Sequence, residues 1–375
     1  MNNKKKVLIV TESISYGGLN LASVRFQQYL DKDKFDCAYC VRRSHLGDLE
    51  EGILQQGIPV YHVPDSELNY IKSYRFYKKL FREEQYDIVH CHLPFFSGIV
   101  LFAAWQCGVK KRVAHAHFSQ PYTDTAIYSK KKQAVAVVYR KIMRVFLKLF
   151  CNGKVACGQE AGEFLYGKHE FNKHGVILNN GIRTEEYQFD EDIRATARKA
   201  LGIRDTTVVL GHIGQMYSVK NQSFILDIFS EFRKEQPDSV LLLIGDGDDR
   251  KMLEEKARRL ALGDSVQFLG LRQDAAALYQ AMDCFVFPSL HEGFPLTLIE
   301  AQASGLPCVI SDTVTRKTKV NENIAFCSLE ESPEVWCKTI ASLLSIPRNT
   351  VDTSALESSF NICEVTKKLE KIYLE

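Results

Sequence analysis

No stretch of the 375-residue chain approaches the ~20 consecutive apolar residues a membrane-spanning helix needs; the nearest, GIVLFAAW, falls far short. The start, MNNKKKVLIVTES, imitates a secretion signal, but its apolar run VLIV stops after four residues at Thr11 and Glu12. That is too short for a signal h-region and suits a first buried strand. Paired cysteine motifs are also lacking. The 11 cysteines are odd in number and scattered through apolar segments, such as PCVIS around Cys308, which fits reduced, packed thiols in a cytosolic protein. The one C-x-x-C, Cys37 to Cys40, has no second pair at zinc-finger spacing and sits in the strand-like FDCAYCV, so core packing is the better reading. No G-x-G-x-x-G follows the first strand, which removes the dinucleotide fingerprint, and no RNA- or DNA-reading motif is present.

What is present is ordinary globular material, with 45% hydrophobic and 25% charged residues, at a length that favours two domains. The net charge of +2 hides an asymmetry: residues 1–180 hold 26 Lys and Arg against 16 Asp and Glu, the remainder 22 against 30. The first half therefore tends to face something anionic. Short apolar runs alternate with amphipathic segments. VLIVT (7–11), CAYCV (37–41), VYHV (60–63), DIVHC (87–91), RVAHA (112–116), KVACG (154–158) and GVILN (175–179) read as strands. After the polar, turn-rich linker NNGIRTEEYQFDED (179–192) comes a helix over about 193–201. A second series follows: TVVLGHIG (207–214), SVLLLIG (239–245), SVQFLG (265–270), CFVFPS (284–289) and PCVIS (307–311). Repeated βα units imply two α/β domains with doubly wound parallel sheets covered by helices on both faces, and ICEVTKKLEKIYLE reads as an amphipathic terminal helix. Ligands of such sheets bind beyond the carboxyl ends of the strands, so the active site is expected in a cleft between the halves.

Several loops at strand ends carry chemistry. Gly17 and Gly18 follow the first strand, where glycines let backbone amides approach a ligand and a helix start favours an anion. GHIGQMYSVKNQ (211–222) repeats the arrangement with Gly214 at the strand end and Lys220 before a helix, placed to meet a diphosphate. Asp246-Gly247-Asp248 in LLIGDGDDR resembles a metal-binding D-x-D, but two flanking glycines make a tight strand-to-helix turn with the acids in the first helical turn, so no metal is inferred. His115 and His117 put two rings on one strand face. A metal there requires a third ligand, and none is evident nearby in the sequence. Finally, SLHEGFPLTLIEAQASGLPCVISD holds Glu292 in a loop and Glu300 in a helix, separated by seven residues.

This last segment, EGFPLTLIEAQASGLPCVISD, resembles the E-x7-E signature of retaining glycosyltransferases of family 4, which adopt the GT-B fold of two Rossmann-like domains. Gly17-Gly18, the strand-end histidine, ILNNGI, the Gly214-to-Lys220 loop, IGDG, FLG and FPS agree with it, from Val7 to the terminal helix. Within the family the chain is most similar to bacterial exopolysaccharide and capsule transferases. The resemblance implies an acceptor-binding domain over 1–182, a nucleotide-sugar domain over 183–357 and a terminal helix, 358–375, packing back on the first domain. It implies that Glu300 holds the nucleotide ribose, a carboxylate being able to accept two vicinal hydroxyls. Glu292, with Gly293, Phe294, Pro295 and Leu296, would hold the donor sugar, while Lys220 would stabilise the leaving diphosphate. Gly17, Gly18, Gly214, Gln215 and Gly245 would line the donor site, and Gly270 and Leu271 would lie at the base. His117 matches the family's active-site histidine. The family usually has Arg where this chain has Gln215, which removes a positive charge from the phosphate site. The implied reaction moves a sugar from a nucleotide-diphosphate donor, by family habit UDP-linked, to a saccharide or polyprenyl-linked acceptor with retention and without metal or other cofactor.

Three alternatives stay open at this point. A glycoside hydrolase also uses two carboxylates, but phosphate-type loops in an open βα architecture favour transfer. A sugar-nucleotide epimerase on the same fold and a non-catalytic partner of an active transferase are the others, the latter kept alive by Gln215. Residues 125–159 contain eight Lys and Arg and no Asp or Glu. Val138, Ile142, Val145 and Leu149 fall on one helical face, and Arg140, Arg144 and Lys148 line another. A solvated basic helix explains this as well as the sharper expectation does, that these three face an anionic membrane surface. The expected location is cytoplasmic, with peripheral attachment to the inner face of the membrane as its extension.

Overall fold

Most of the apolar runs become parallel strands because they are buried on both faces. Residues Val7 to Val10 of β1 (Lys5–Thr11) are all at most 1% exposed. The structure is a computed structural model that describes residues 4–15, 18–43, 46–64, 69–118 and 130–375, with the side chains of 18–20 and 130–131 outside that description. Among the described residues the first unit holds a seven-stranded sheet. Its strands are β1, β2 (Phe35–Val41), β3 (Val60–His62), β4 (Ile88–Cys91), β5 (Lys111–Ala116), β6 (Gly153–Ala156) and β7 (Gly175–Ile177), in the order β3-β2-β1-β4-β5-β6-β7. The second unit holds six strands: β8 (Val208–Ile213), β9 (Ser239–Ile244), β10 (Val266–Gly270), β11 (Cys284–Phe287), β12 (Cys308–Ser311) and β13 (Ile324–Cys327). Their order is β10-β9-β8-β11-β12-β13. Every pairing between these strands is parallel. β13 is absent from the sequence-based strand set. Its four residues, IAFC, form a short edge strand with a half-buried middle.

The two-residue side-chain period divides each strand between two cores. Leu8 and Val10 of β1 join a core with Val89, Cys91 and Ala114, while Val7 and Ile9 join the opposite one with Ile88, Val113 and Val155. Cys37 and Cys40 of β2 fall on opposite faces for the same reason, which rules out chelation by the C-x-x-C. The second unit repeats the pattern, with Val209 and Leu210 in different cores.

The chain divides into Met1–Gly181 with Ile362–Glu375, and Ile182–Asn361. The segment read as a linker is not free: Ile182 and Tyr187 are buried in the second unit's core, and a short helix, Thr184–Tyr187, crosses it. The following helix, Glu191–Ala200, starts at Asp190, whose carboxylate accepts from the backbone of Asp192 and Ile193. The terminal helix Ile362–Leu374 packs into the first unit through Ile362, Val365, Leu369, Ile372 and Tyr373, and Glu370 accepts from the Asp31 backbone at 2.9 Å. Leu369 is fully buried there. Leu369→Ala is expected to destabilise the first unit by about 2–5 kcal/mol through lost burial and a cavity. Urea unfolding followed by circular dichroism measures this; a loss under about 1 kcal/mol would show that the helix does not complete this core.

Candidate active site

In the second sheet the strand order reverses between β8 and β11, the position where an open parallel sheet leaves a crevice at its carboxyl edge. The loops that leave these two strands meet there. After β8 come Gly214, the exposed Gln215 and a tight turn, Ser218–Lys220. Asn221, at φ 54°, then swings the chain into the helix Gln222–Glu235. After β11 the chain runs from Pro288 to Pro295 and enters the helix Leu296–Ala303. Three contacts lace the two loops. The Leu290 amide donates to the Val219 carbonyl at 2.8 Å, Asn221 Nδ2 donates to the Pro288 carbonyl at 3.2 Å, and Lys220 Nζ lies 2.6 Å from Glu292 Oε1. Ser311, the last residue of β12, and Thr313, just past it, donate their hydroxyls to the Ser289 carbonyl at 2.6 and 2.7 Å, which holds the Glu292 loop from its other side.

The loop after β9 presses on the same place. A Cβ at Gly245 (φ 128°) would stand 2.1 Å from the Gly214 carbonyl oxygen, and one at Gly247 would stand 2.4 Å from that of Met216, so both positions require glycine. Asp246 is used inside this turn: one oxygen accepts from the Gly247 amide at 2.9 Å and the other lies 3.4 Å from Arg250. The acids do not sit in the first helical turn as the sequence suggested; the helix begins only at Arg250, after Asp249. Gly270 ends β10 and its carbonyl accepts from Gly245 at 2.8 Å, while Leu271 is 78% exposed.

Gly214, Gln215, Lys220, Gly245, Gly270, Leu271 and Glu292 thus follow β8, β9, β10 and β11 at one sheet edge. Gly293 is exposed, Pro295 is buried, Leu296 is half-buried, and Phe294 stacks on Phe360 in the second unit's core. Glu300 sits farther along its helix, 7% exposed, with the Tyr279 hydroxyl 3.3 Å from Oε2. The two glutamates therefore have different partners, one a cation and the other a phenol.

In the first unit, Gly18 begins the helix Gly18–Tyr29, and Gly17 lies outside the described residues. His115 and His117 at the end of β5 have company that sequence reasoning missed. Cys91 of β4 pairs with Ala114 of β5, which brings His90 and His92 alongside. His90 Nε2 is 3.2 Å from His115 Nδ1, His92 Nδ1 is 2.9 Å from His117 Nε2, and His90 Nδ1 is 2.7 Å from the Tyr373 hydroxyl. The signal was in the sequence: DIVHCHLP carries a second H-x-H at the end of the strand that the topology sets beside β5.

The comparisons with known proteins fit this layout. Residues 193–355 match the model of glycosyl transferases group 1, and residues 16–186 that of glycosyltransferase family 4. EpsF of Bacillus subtilis, named as a glycosyltransferase, is 31% identical over 346 residues, covering 91% of this chain and 88% of EpsF. The chain belongs to the family 4 glycosyltransferases. The capsular polysaccharide biosynthesis glycosyltransferase CapH of Staphylococcus aureus is 23% identical over 98% of both chains. Among solved structures, Anabaena HepE in complex with UDP and glucose superposes with a TM-score of 0.77 at 17% identity, covering 98% of both chains. WaaG, a glycosyltransferase of lipopolysaccharide biosynthesis, gives 0.70 at 16%, covering 98% of this chain and 99% of WaaG. The transferase accordingly has the GT-B architecture of two Rossmann-like domains.

The basic segment of the transferase turns a different face outward from the one its charge pattern suggests. In the helix Lys130–Phe150 it is the apolar stripe that faces outward: Val135, Val138, Ile142, Val145 and Leu149 are between 48% and 69% exposed. Met143 and Leu147 are buried, with Phe146 and Phe150 packed against the core. Arg144 turns inward, donating Nη2 to the Phe164 carbonyl at 2.6 Å and lying over the Phe95 ring, so it does not face outward as expected. Arg140 is half-buried; Lys141 and Lys148 are exposed. No described helix is long and apolar enough to cross a membrane.

Burial decides the protonation of the histidines. It lowers the pKa of His90 to about 3, with help from His117, and that of His117 likewise to about 3; His92 and His115 are lowered well below the usual range for the same reason. In the unfolded chain these rings take up protons near their ordinary value of 6.5, whereas in the folded protein they do so only far lower. The stability they confer is therefore complete above pH 6.5 and is lost as pH falls from there toward 3. The transferase should lose about 1.4 kcal/mol per pH unit for each such ring in that window. Thermal melts between pH 7.5 and 4.5 check this: the fall should be steeper in the wild type than in His90→Gln, and equal slopes would contradict it.

Proposed function

We propose that the transferase moves a sugar from a UDP-linked donor held by the second unit to a saccharide or lipid-linked saccharide acceptor, with retention and without a catalytic metal, in cell-surface polysaccharide synthesis. The observation that carries this reading is the Lys220–Glu292 pair at the β8–β11 reversal, where a cation and a carboxylate stand together beside glycine-lined strand ends. Donor binding would separate them. Lys220 would turn to the diphosphate and stabilise the charge that grows on the leaving group, while Glu292 would accept from sugar hydroxyls and Glu300, deeper on its helix, from the ribose. The glycines at 214, 245 and 270 would let backbone amides approach the nucleotide, and Gln215 leaves Lys220 as the cation of this loop. In the first unit, His117, neutral and held by His92, would be the active-site histidine. The name of CapH supports the assignment to capsular polysaccharide synthesis, that of EpsF supports glycosyl transfer, and the UDP and glucose bound by HepE support a UDP-sugar donor.

These roles separate in kinetics. Glu300→Ala should weaken donor binding about 10- to 100-fold, the loss of hydrogen bonds to a charged group. Glu292→Ala should mainly lower kcat, and Lys220→Ala should lower it by about 10²–10³. Nucleoside diphosphate release from a panel of nucleotide sugars, with and without lipid-linked acceptor, reads all three; unchanged binding and rate in every variant would refute the assignment.

The outward stripe of the helix Lys130–Phe150 would dock on anionic lipid. Val138, Ile142, Val145 and Leu149 would enter the interface, Lys141 and Lys148 would meet headgroups, and residues 125–159 carry no acidic side chain to oppose it. Reversing Lys141 and Lys148 to Glu should reduce sedimentation with acidic liposomes by about tenfold or more, at about 1 kcal/mol per basic residue. Unaltered sedimentation would remove the membrane from the proposal.

A further inference from the structure

The pair His115 and His117 lacks a third metal ligand within its own strand, but the fold supplies one from the next. His90, His92 and His115 are each at most 1% exposed, and one ring nitrogen from each lies within 4.8 Å of the other two. His90 Nε2 and His115 Nδ1 are 3.2 Å apart, close to the ~3.3 Å edge of a tetrahedron with metal–nitrogen bonds of about 2.0 Å. The far nitrogens of the cluster are already partnered: His90 Nδ1 faces the Tyr373 hydroxyl and His92 Nδ1 faces His117 Nε2. Outer partners of this kind fix ring orientation and tautomer in histidine metal sites, leaving the opposite nitrogen as a lone pair. Two more nitrogens, His115 Nε2 and His117 Nδ1, are buried with no hydrogen-bond partner among the described residues.

We infer that His90, His92 and His115 form a binding site for one first-row transition-metal cation of the zinc, cobalt, nickel or copper type. An all-imidazole set selects these ions over magnesium or calcium, which take oxygen ligands. In the metal-free chain the parallel rings of His90 and His115, at 6°, hold one proton between Nε2 and Nδ1. On binding, that proton moves to the far side of His90, where Nδ1–H donates to the Tyr373 oxygen. No ligand has to lose a proton, and ring rotations bring the wider separations, at most 4.8 Å, to the ~3.3 Å edge. Three imidazoles leave a fourth position for water or hydroxide, the latter offsetting part of the buried charge. The ion holds no substrate phosphate. It would join β4, β5 and, through Tyr373, the terminal helix, and it would commit His92 Nδ1–H to donate to His117 Nε2. The site does not rest on the assignment of the donor residues.

The test uses the full-length chain without a histidine tag, stripped with a chelator and titrated with Co²⁺ and then Zn²⁺. One Co²⁺ per chain is expected, with the visible absorption of a four-coordinate nitrogen site, displaced by Zn²⁺ and untouched by excess Mg²⁺. His90→Gln and His115→Gln should each weaken binding at least tenfold, Tyr373→Phe by a smaller factor, and His169→Gln, on an exposed helix of the same unit, not at all. Titration with no bound equivalent, or binding unchanged in His90→Gln and His115→Gln, overturns the site. If those variants do not fold, anomalous diffraction from wild-type crystals soaked in Zn²⁺ decides: a peak among the three rings supports the site, and peaks only elsewhere overturn it.

Discussion

A parallel sheet sends the carboxyl end of every strand to one edge, and that constraint underlies the chemistry of both units. It gathers the loops after β8, β9, β10 and β11 although they are spread over some eighty residues of sequence, and it sets His90 and His92 beside His115 and His117 across a gap of more than twenty. The reversal of strand order then opens a place between β8 and β11 that neither strand's own helix fills. Lys220 and Glu292 occupy it, and the Leu290–Val219 and Asn221–Pro288 hydrogen bonds keep the loops that carry them from drifting apart. Close approach of the β9 loop is possible only because Gly245 and Gly247 lack a Cβ.

The two units manage buried polar groups differently. In the second, carboxylates are kept beside a donor: Glu292 meets an ammonium and Glu300 a neutral phenol. In the first, four imidazoles are packed with almost no countercharge, and desolvation keeps them neutral. Neutral rings can hydrogen-bond to one another in a chain from Tyr373 inward, and the lone pairs they retain make the same cluster fit to hold a metal cation. The unit thus trades some acid stability for an ordered set of nitrogens beside His117.

The sequence reading failed where two apolar faces compete. In the helix Lys130–Phe150, one stripe of apolar residues packs inward through Met143 and Leu147 and a second, through Val138, Ile142, Val145 and Leu149, points out. Helical spacing identifies both stripes equally well, so periodicity alone cannot say which one the sheet will cover. It could not foresee that Arg144 would spend its guanidinium on a backbone carbonyl either. The edge strand β13 also escaped, although its IAFC is as long and as apolar as β12; its middle residues are only half-buried. The segment after Asn179 looked like a polar linker because the two residues that anchor it, Ile182 and Tyr187, are isolated among polar neighbours.

Local chemistry was legible without the structure. Apolar runs with βα spacing gave two parallel sheets, the glycines at strand ends marked close backbone approach, and the E-x7-E segment placed one carboxylate in a loop and one in a helix. These follow from short-range rules of burial, turn geometry and helical period, which act within a few residues. Partnership was decided only by the tertiary structure. Which cation meets Glu292, which phenol meets Glu300, and that His115 finds its companions on β4 depend on strand order, because residues remote in sequence become neighbours only when the sheet fixes their register.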